Sequence, residues 1–433
     1  MNQDQLSARF AILQAACDLE GIDALARETQ FLQRLRKIRP ADLALALVSS
    51  LSAFDPRTIT ELHDHFMTLC EVEVDYKAFY KRLNRDSFVT FFSSLFERWL
   101  NLFLTRMIEP IPDHKLAAFD DIWLQDGSSI SLRDTLADIF PGRFTRYAPA
   151  AIEIHATQSL LSDNLISLSV APDTVGERDF LPEPQELSGL LLLQDCGYQD
   201  LERAADVAAA GGDVLSRAKN NLNPTIVSLK LDDRFIHEVE GRKLKDCRWM
   251  CEGHHVDLIG RWKKGMWEID MRLVGIYDPD HERHLWLYTT LEASDWNVEE
   301  LHTLYRLRWQ VELLFKELKS CCELKGFGTS KAPIAEGLIW VALSSCILKR
   351  FLVQSSELVY ETKTQSTLKG SRRAPILVLD LMRALLDQCE VAPAFSKLLK
   401  YFARENIRSR PKRDAQRGKF QMGQQTSTAS RGY

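Results

Sequence analysis

Residues 305–319 read YRLRWQVELLFKELK, and this stretch decides how the rest of the chain is understood. Drawn as an α-helix at about 100° per residue, it gathers Tyr305, Arg308, Glu312 and Lys319 into an arc of roughly 60°, although they span about four turns. Leu304, Leu307, Val311, Leu314, Phe315 and Leu318 fall on a neighbouring arc, the apolar face a helix needs to dock on a core. A helix fixed by its leucines would thus present one carboxylate flanked by two cations and a phenol. Glu317 points to the other side and is a poor substitute for Glu312. The plainer alternative is an amphipathic surface helix whose charges are simply solvated.

The spacing favours the first reading. Tyr, two residues, Arg, three residues, Glu, six residues, Lys resembles the signature of the insertion-sequence-four family of bacterial DDE transposases at all four positions. The resemblance implies that Glu312 is the last ligand of a metal-binding acidic triad and that Tyr305, Arg308 and Lys319 contact transposon-end DNA. It also implies two aspartates upstream, at strand ends.

A chain of 433 residues, 45% of them hydrophobic, can bury a sizeable core and divides into two or three domains. Its nine cysteines form no disulfide-like framework and no signal peptide opens the chain, so a reduced, cytoplasmic protein is expected; the resemblance implies a bacterial one, nucleoid-associated when bound to DNA. The longest apolar run, residues 337–348, is too short to span a bilayer, so no membrane role is expected. Net charge −5 argues against a nucleic-acid partner on its face. Local clusters argue otherwise: Arg34, Arg36, Lys37 and Arg39; Lys77, Lys81, Arg82 and Arg85; and a tail over 404–419 with seven cations against two acids. Each can neutralise phosphates or form a solvated face.

In chain order, residues 1–117 read as a helical DNA-binding domain. Helical spacing runs over 6–20, 22–38 and 41–51, with Pro40 breaking the second helix from the third. Thr58 with Glu61 signals a capped helix start, 75–84 forms a short cationic helix behind it, and 88–107 a long aromatic-rich one. The short pair suggests a helix-turn-helix reader. From residue 118 strands appear. Ile122, Trp123 and Leu124 deliver Asp126 at a strand end where Gly127 turns the chain, 151–160 and 165–170 alternate as a hairpin, and 190–193 ends on Asp195 before another glycine. A helix over 201–210 and a strand over 213–217 follow.

This order is that of the ribonuclease-H-like fold, in which the first and fourth strands are neighbours. We therefore expect an α/β fold: a ribonuclease-H-like mixed sheet over 118–345, carrying an all-β insertion at about 221–298 with strands over 235–243, 256–262, 267–277 and 284–290. Carboxy-terminal helices over 346–403 (apolar spacing over 334–351, 375–389 and 395–403) and a disordered basic tail over 404–433 complete the chain. Trp249, Trp262, Trp267, Trp286 and Trp296 are candidates to stack on a displaced base, though most must fill the insertion's own core. Cys247, Cys251, His254 and His255 lack the spacing of a structural zinc site, and Cys196 reads as packing beside the second aspartate.

Three carboxylates suit hard cations. Asp126, Asp195 and Glu312 are expected to hold Mg²⁺ (or Mn²⁺), as two ions about 4 Å apart, for in-line displacement at phosphorus. The resemblance implies cut-and-paste transposition, acting on double-stranded DNA (terminal repeats and target), with a homodimer in the synaptic complex. Two other readings use the same residues: a DNA-binding regulator or domesticated copy, against which the presence of all three acids counts, and a structure-specific Mg-dependent nuclease that does not join strands.

Overall fold

The computed structural model describes residues 1–54, 56, 58–104, 115–162, 164–264, 267–309, 311, 315, 329–362, 365 and 374–406. Six helices open the chain: α1 (Gln3–Ala16), α2 (Leu19–Glu28), α3 (Pro40–Ala53), α4 (Ile59–Cys70), α5 (Tyr76–Leu83) and α6 (Asp86–Leu104). The helix expected over 6–20 is two, because Asp18 leaves helical geometry (ψ 113) and its carboxylate accepts from Gly21 N at 2.9 Å, capping α2. The helix α2 stops at Glu28, well before residue 38, with Gln30 at φ 58. Pro40 opens α3 rather than merely closing what precedes it, since a first-turn proline has no amide to satisfy. The capping box of Thr58 and Glu61 forms as expected.

Eleven strands follow among the described residues: β1 (Asp121–Ser131), β2 (Pro141–Phe144), β3 (Ala148–Ser159), β4 (Leu165–Pro172), β5 (Leu190–Gln194), β6 (Asp213–Arg217), β7 (Thr225–Leu231), β8 (Arg234–Phe235), β9 (Val256–Lys264), β10 (Trp267–Asp278) and β11 (Arg283–Thr289). Helices α7 (Leu201–Ala209), α8 (Leu244–Cys247) and α9 (Val298–Arg306) punctuate them. The sheet order is β2-β3-β1-β5-β6-β11-β10-β9-β7-β8, with β4 also paired to β3. Within it, β4-β3-β1-β5-β6 is the expected ribonuclease-H-like arrangement, with β1, β5 and β6 mutually parallel.

The all-β segment is not a separate body: β11 pairs antiparallel with β6, so strands β7 to β11 extend the core sheet edge to edge. A strand over 235–243 does not form. Thr225–Leu231 takes the main ladder position instead, and a 3₁₀ turn at His237–Val239 and a left-handed Gly241 consume the expected segment.

Three more helices close the described chain: α10 (Ala332–Tyr360), α11 (Pro375–Asp387) and α12 (Val391–Glu405). Helix α10 is long and apolar enough to cross a membrane, yet 78% of its most apolar window is buried inside the protein, as befits a core helix. It packs on α3, α6 and α12, so helices from both ends of the chain share one core. Phe103 stacks on Phe351 at 4.4 Å, Asn2 N donates to Val359 O at 2.7 Å, and the Ser52 and Ser345 hydroxyls meet at 2.5 Å. This helical layer covers one sheet face; α7 and α8 cover the other. The basic tail beyond residue 406 lies outside the described residues.

The junction of α6 and α10 is tight. A Cβ on Gly337 would stand 2.2 Å from the Phe88 ring. Gly337→Val is expected to lower stability by roughly 2 kcal/mol or more, overpacking outweighing any helix-propensity gain of under about 1 kcal/mol. Denaturant melts read this, and an unchanged midpoint would mean that the two helices separate easily here.

Candidate active site

Strand alternation sets the site. Along β1, Ile122 and Leu124 face the helical layer while Trp123 and Gln125 face α7; along β5, Leu191 and Leu193 face the helical layer and Leu192 the other side. Side chains alternate with period two, so Asp126 and Asp195 both fall on the helical side. The parallel register pairs Gln125 with Gln194, which puts each aspartate one residue beyond a matched pair, on strands about 4.8 Å apart. The two expected aspartates are neighbours.

Helix α9 crosses that same face. Asn297 and Glu300 cap it reciprocally, each side chain accepting from the other's backbone N–H at 2.9 and 3.0 Å. The carboxylate of Glu300 also takes Lys115 Nζ at 2.6 Å. Leu301 and Leu304 bury on the core, as do Leu307, Val311 and Phe315 beyond the helix. The uniform α-helix expected over 305–319 is not what forms: α9 ends at Arg306 and Leu307–Trp309 tightens into a 3₁₀ turn. Val311 and Phe315 are again helical. Glu312, Leu314, Glu317, Leu318 and Lys319 lie outside the described residues.

Tyr305 and Arg308 reach the aspartates directly. Arg308 Nη1 donates to Asp126 Oδ2 at 2.7 Å, and the Tyr305 hydroxyl donates to Asp195 Oδ1 at 3.3 Å. Burial, with the charge of Asp195 adding to it, pushes the Asp126 carboxyl up to about 6 against the pull of Arg308. Burial likewise raises the Tyr305 phenol, so it stays a donor. Beside them the Cys196 thiol is raised by burial and then by Asp195, consistent with packing rather than reactivity.

Gly127 is not a turn. Strand β1 runs through it to Ser131, and what the position requires is closeness: a Cβ there would lie 2.8 Å from Glu153 Oε1, 3.0 Å from the Tyr198 hydroxyl and 3.1 Å from His155 Nδ1. These three polar groups pack against the strand behind Asp126, on the opposite face. Tyr198 and His155 Nδ1 share a hydrogen bond of 2.9 Å, bracing the turn that carries Asp195 against β3. Burial pushes His155 down to about 4, so it is neutral. Glu153 is gripped by Arg143 Nη2 at 2.6 Å, yet burial and the carboxylates of Glu177 and Asp173 raise it to about 7. Sequence reading passed over this trio. The signal was the alternation AIEIHAT in β3, which places Glu153 and His155 on one buried face beside the aspartate strand.

Among the described residues no three of His, Cys, Asp and Glu converge to hold a metal, and the third expected acid, Glu312, is not among them. The two carboxylates that do converge are oxygen donors, one already drawing a cation, and this donor set suits a hard divalent ion. Cys247 and Cys251 are buried, and His254 pairs with Asp232. Of the tryptophans, Trp286 and Trp296 fill core, Trp262 is half-buried and Trp249 is 70% exposed; the Trp267 side chain is outside the description.

The family model described as "Transposase DDE domain" matches residues 118–347. The chain is 25% identical over 411 residues to the transposase for insertion sequence element IS231F of Bacillus thuringiensis subsp. israelensis, covering 85% of each. It is 21% identical over 400 residues to that for IS1151 of Clostridium perfringens, covering 82% of each. Among solved structures it resembles the piggyBac transposase synaptic complex with hairpin DNA at TM-score 0.44 and 14% identity, over 94% of this chain and 86% of that one.

The raised carboxyl of Glu153 makes a signed prediction. Its proton is bound more tightly in the folded state, so the stability it contributes is complete below pH 4.5 and is lost as pH rises through about 7. Glu153→Gln should therefore gain on the wild type across that window, by roughly 1–3 kcal/mol in chemical denaturation. A difference constant with pH would mean that Glu153 is already ionised throughout.

Proposed function

The chain belongs to the transposase DDE domain family, and from that premise we propose that it is the DNA transposase of an insertion sequence, freeing its element by cut and paste. Family membership implies a divalent metal. We assign this to Mg²⁺ or Mn²⁺, as two ions on Asp126, Asp195 and Glu312. So held, they would activate a water or 3′-hydroxyl and neutralise the oxygen that leaves. The observation that carries this assignment is the matched level of Asp126 and Asp195 on parallel neighbouring strands, faced by Tyr305 and Arg308.

The chain's own groups do the positioning. Phosphoryl transfer of this kind asks for alignment and charge neutralisation, not a covalent protein intermediate. Arg308 has a planar fork that suits either a carboxylate or a phosphate. Asp126 holds it at the site until DNA offers phosphate oxygens. Tyr305 can donate to a phosphate from the end of α9, and Lys319 is assigned a point-charge contact on the same DNA. Lys77, Lys81 and Arg85, exposed on or just beyond α5, support DNA reading by the amino-terminal helices, with two copies of the chain pairing two element ends. Other expected cations are partly engaged within the protein: Arg39 with Asp23 at 2.6 Å, Lys37 with Glu73 O at 3.1 Å, and Arg82 over the Phe31 ring.

Wild type incubated with its own flanking terminal repeats and Mg²⁺ should cleave and join, and Asp195→Ala should lose roughly a thousandfold or more of that rate while still binding. Cleavage without joining would instead indicate a nuclease, and binding without cleavage a regulator. Arg308→Ala should weaken binding to the terminal repeat and reduce the log–log salt slope by about 1. A slope equal to wild type would remove Arg308 from the phosphate contacts.

A further inference from the structure

The tip of the β2–β3 hairpin has no part in the site just described, yet it is built to be presented. From Pro141 to Pro149 the chain reads PGRFTRYAP, with two arginines, two aromatics and no carboxylate. At the tip Tyr147 is 90% exposed and Phe144 63%, and Arg146 is exposed with no side-chain partner among the described residues. Phe144 and Tyr147 share one turn, Tyr147 N donating to Phe144 O at 3.1 Å, so they stand at one place and are not scattered single residues.

The root of the hairpin is rigid. Arg143 N donates to Asp173 Oδ2 at 2.9 Å and its Nε to Asp173 O at 3.0 Å, while Nη1 reaches Glu177 at 3.1 Å and Nη2 reaches Glu153 at 2.6 Å. Gly142 lies so close to β3 that a Cβ would meet Ala148 O at 2.0 Å, where the register of the pair shifts. One arginine is thus consumed in fixing the base, leaving the other at the tip. Direction follows from the register. Asp126 lies opposite Ala156 and Phe144 opposite Ala148, so the tip stands 156 − 148 = 8 residues along β3 from the aspartate, roughly 26 Å. It projects beyond the carboxyl end of β1, which lies five residues past Asp126, on the side toward which β5 delivers Asp195.

We propose that this hairpin is a DNA contact, Arg146 meeting a backbone phosphate and Tyr147 and Phe144 packing on deoxyribose, at a point up to about 26 Å from the position of cleavage. The proposal deepens the transposase reading and rests on it. A free cation between two exposed aromatics, in a hairpin without acids, matches the charge and the apolar sugar edges of nucleic acid.

The test uses the full chain and a fluorescein-labelled duplex of its own flanking terminal repeat. A photo-crosslinking p-benzoylphenylalanine in place of Tyr147 should join the DNA of the terminal repeat. The double variant Arg146→Ala, Tyr147→Ala should bind about tenfold more weakly with its melting temperature unchanged. If wild type binds the duplex but neither effect is seen, the hairpin proposal is overturned and the transposase reading stands. Crosslinking to a second copy of the chain, without DNA, would also overturn it by making the tip a subunit contact. If wild type binds no DNA at all, the reading beneath fails and takes this inference with it.

Discussion

The parallel pairing of β1 with β5 is the constraint on which the site depends. Because side chains alternate with period two, a slip of one residue in either strand would turn its aspartate to the opposite face. The register is held by what lies on either side of the sheet. Ile122, Leu124, Leu191 and Leu193 must stay in the helical core, and Gln125 and Gln194 must keep their buried partners. Thr157 donates to Gln125 at 2.5 Å and Gln194 donates to the Tyr288 hydroxyl at 2.8 Å. These buried amides resist a slip more firmly than leucines would, since a displaced one would lose its hydrogen bond in a place where water cannot replace it.

Two carboxylates so close, and largely withdrawn from water, carry an electrostatic cost that the fold offsets with Arg308 and Tyr305. The raised carboxyl of Asp126 shows that the offset is incomplete, burial exceeding the pull of the guanidinium. A site in this condition favours further positive charge, which is a physical reason for carboxylates to be brought together in the first place. The same arginine is therefore the counterion of Asp126. The 3₁₀ turn at Leu307–Trp309 matters here, because it sets the direction of Arg308 independently of the α-helix that carries Tyr305.

Much of this was legible locally. The strand-then-aspartate pattern at 195, the alternation of β3, and the apolar positions 304, 307, 311 and 315 are short-range signals, and the described structure agrees with each; Asp126 is also carried by a strand, but one that continues to Ser131. What failed did so for a reason. Asp-Gly favours turns, so Gly127 was read as one, whereas the glycine serves three side chains arriving from β3 and the Asp195 turn. Strand β2 begins with Pro-Gly, which local rules read as a loop, and it exists because β3 offers an edge. The sharing of one core by α6 and α10 is a contact between the two ends of the chain, and no window of sequence contains it.

Net charge was the least informative quantity, and the structure explains why. Glu153, Asp173 and Glu177 converge on the single cation Arg143, so much of their charge is spent inside the protein. Glu300 is spent on Lys115 and Asp257 on Arg272 in the same way. A formal charge of −5 counts such acids as though they faced solvent. The potential a polyanion meets is set instead by which groups remain at the surface, and screening over about 10 Å makes that a local matter. Lys77, Lys81 and Arg85 near α5 and Arg146 at the hairpin tip are exposed, whereas the acids at the hairpin root are turned inward. An acidic chain can accordingly offer basic ground where a polyanion would approach, the acids having been used to hold that ground in place.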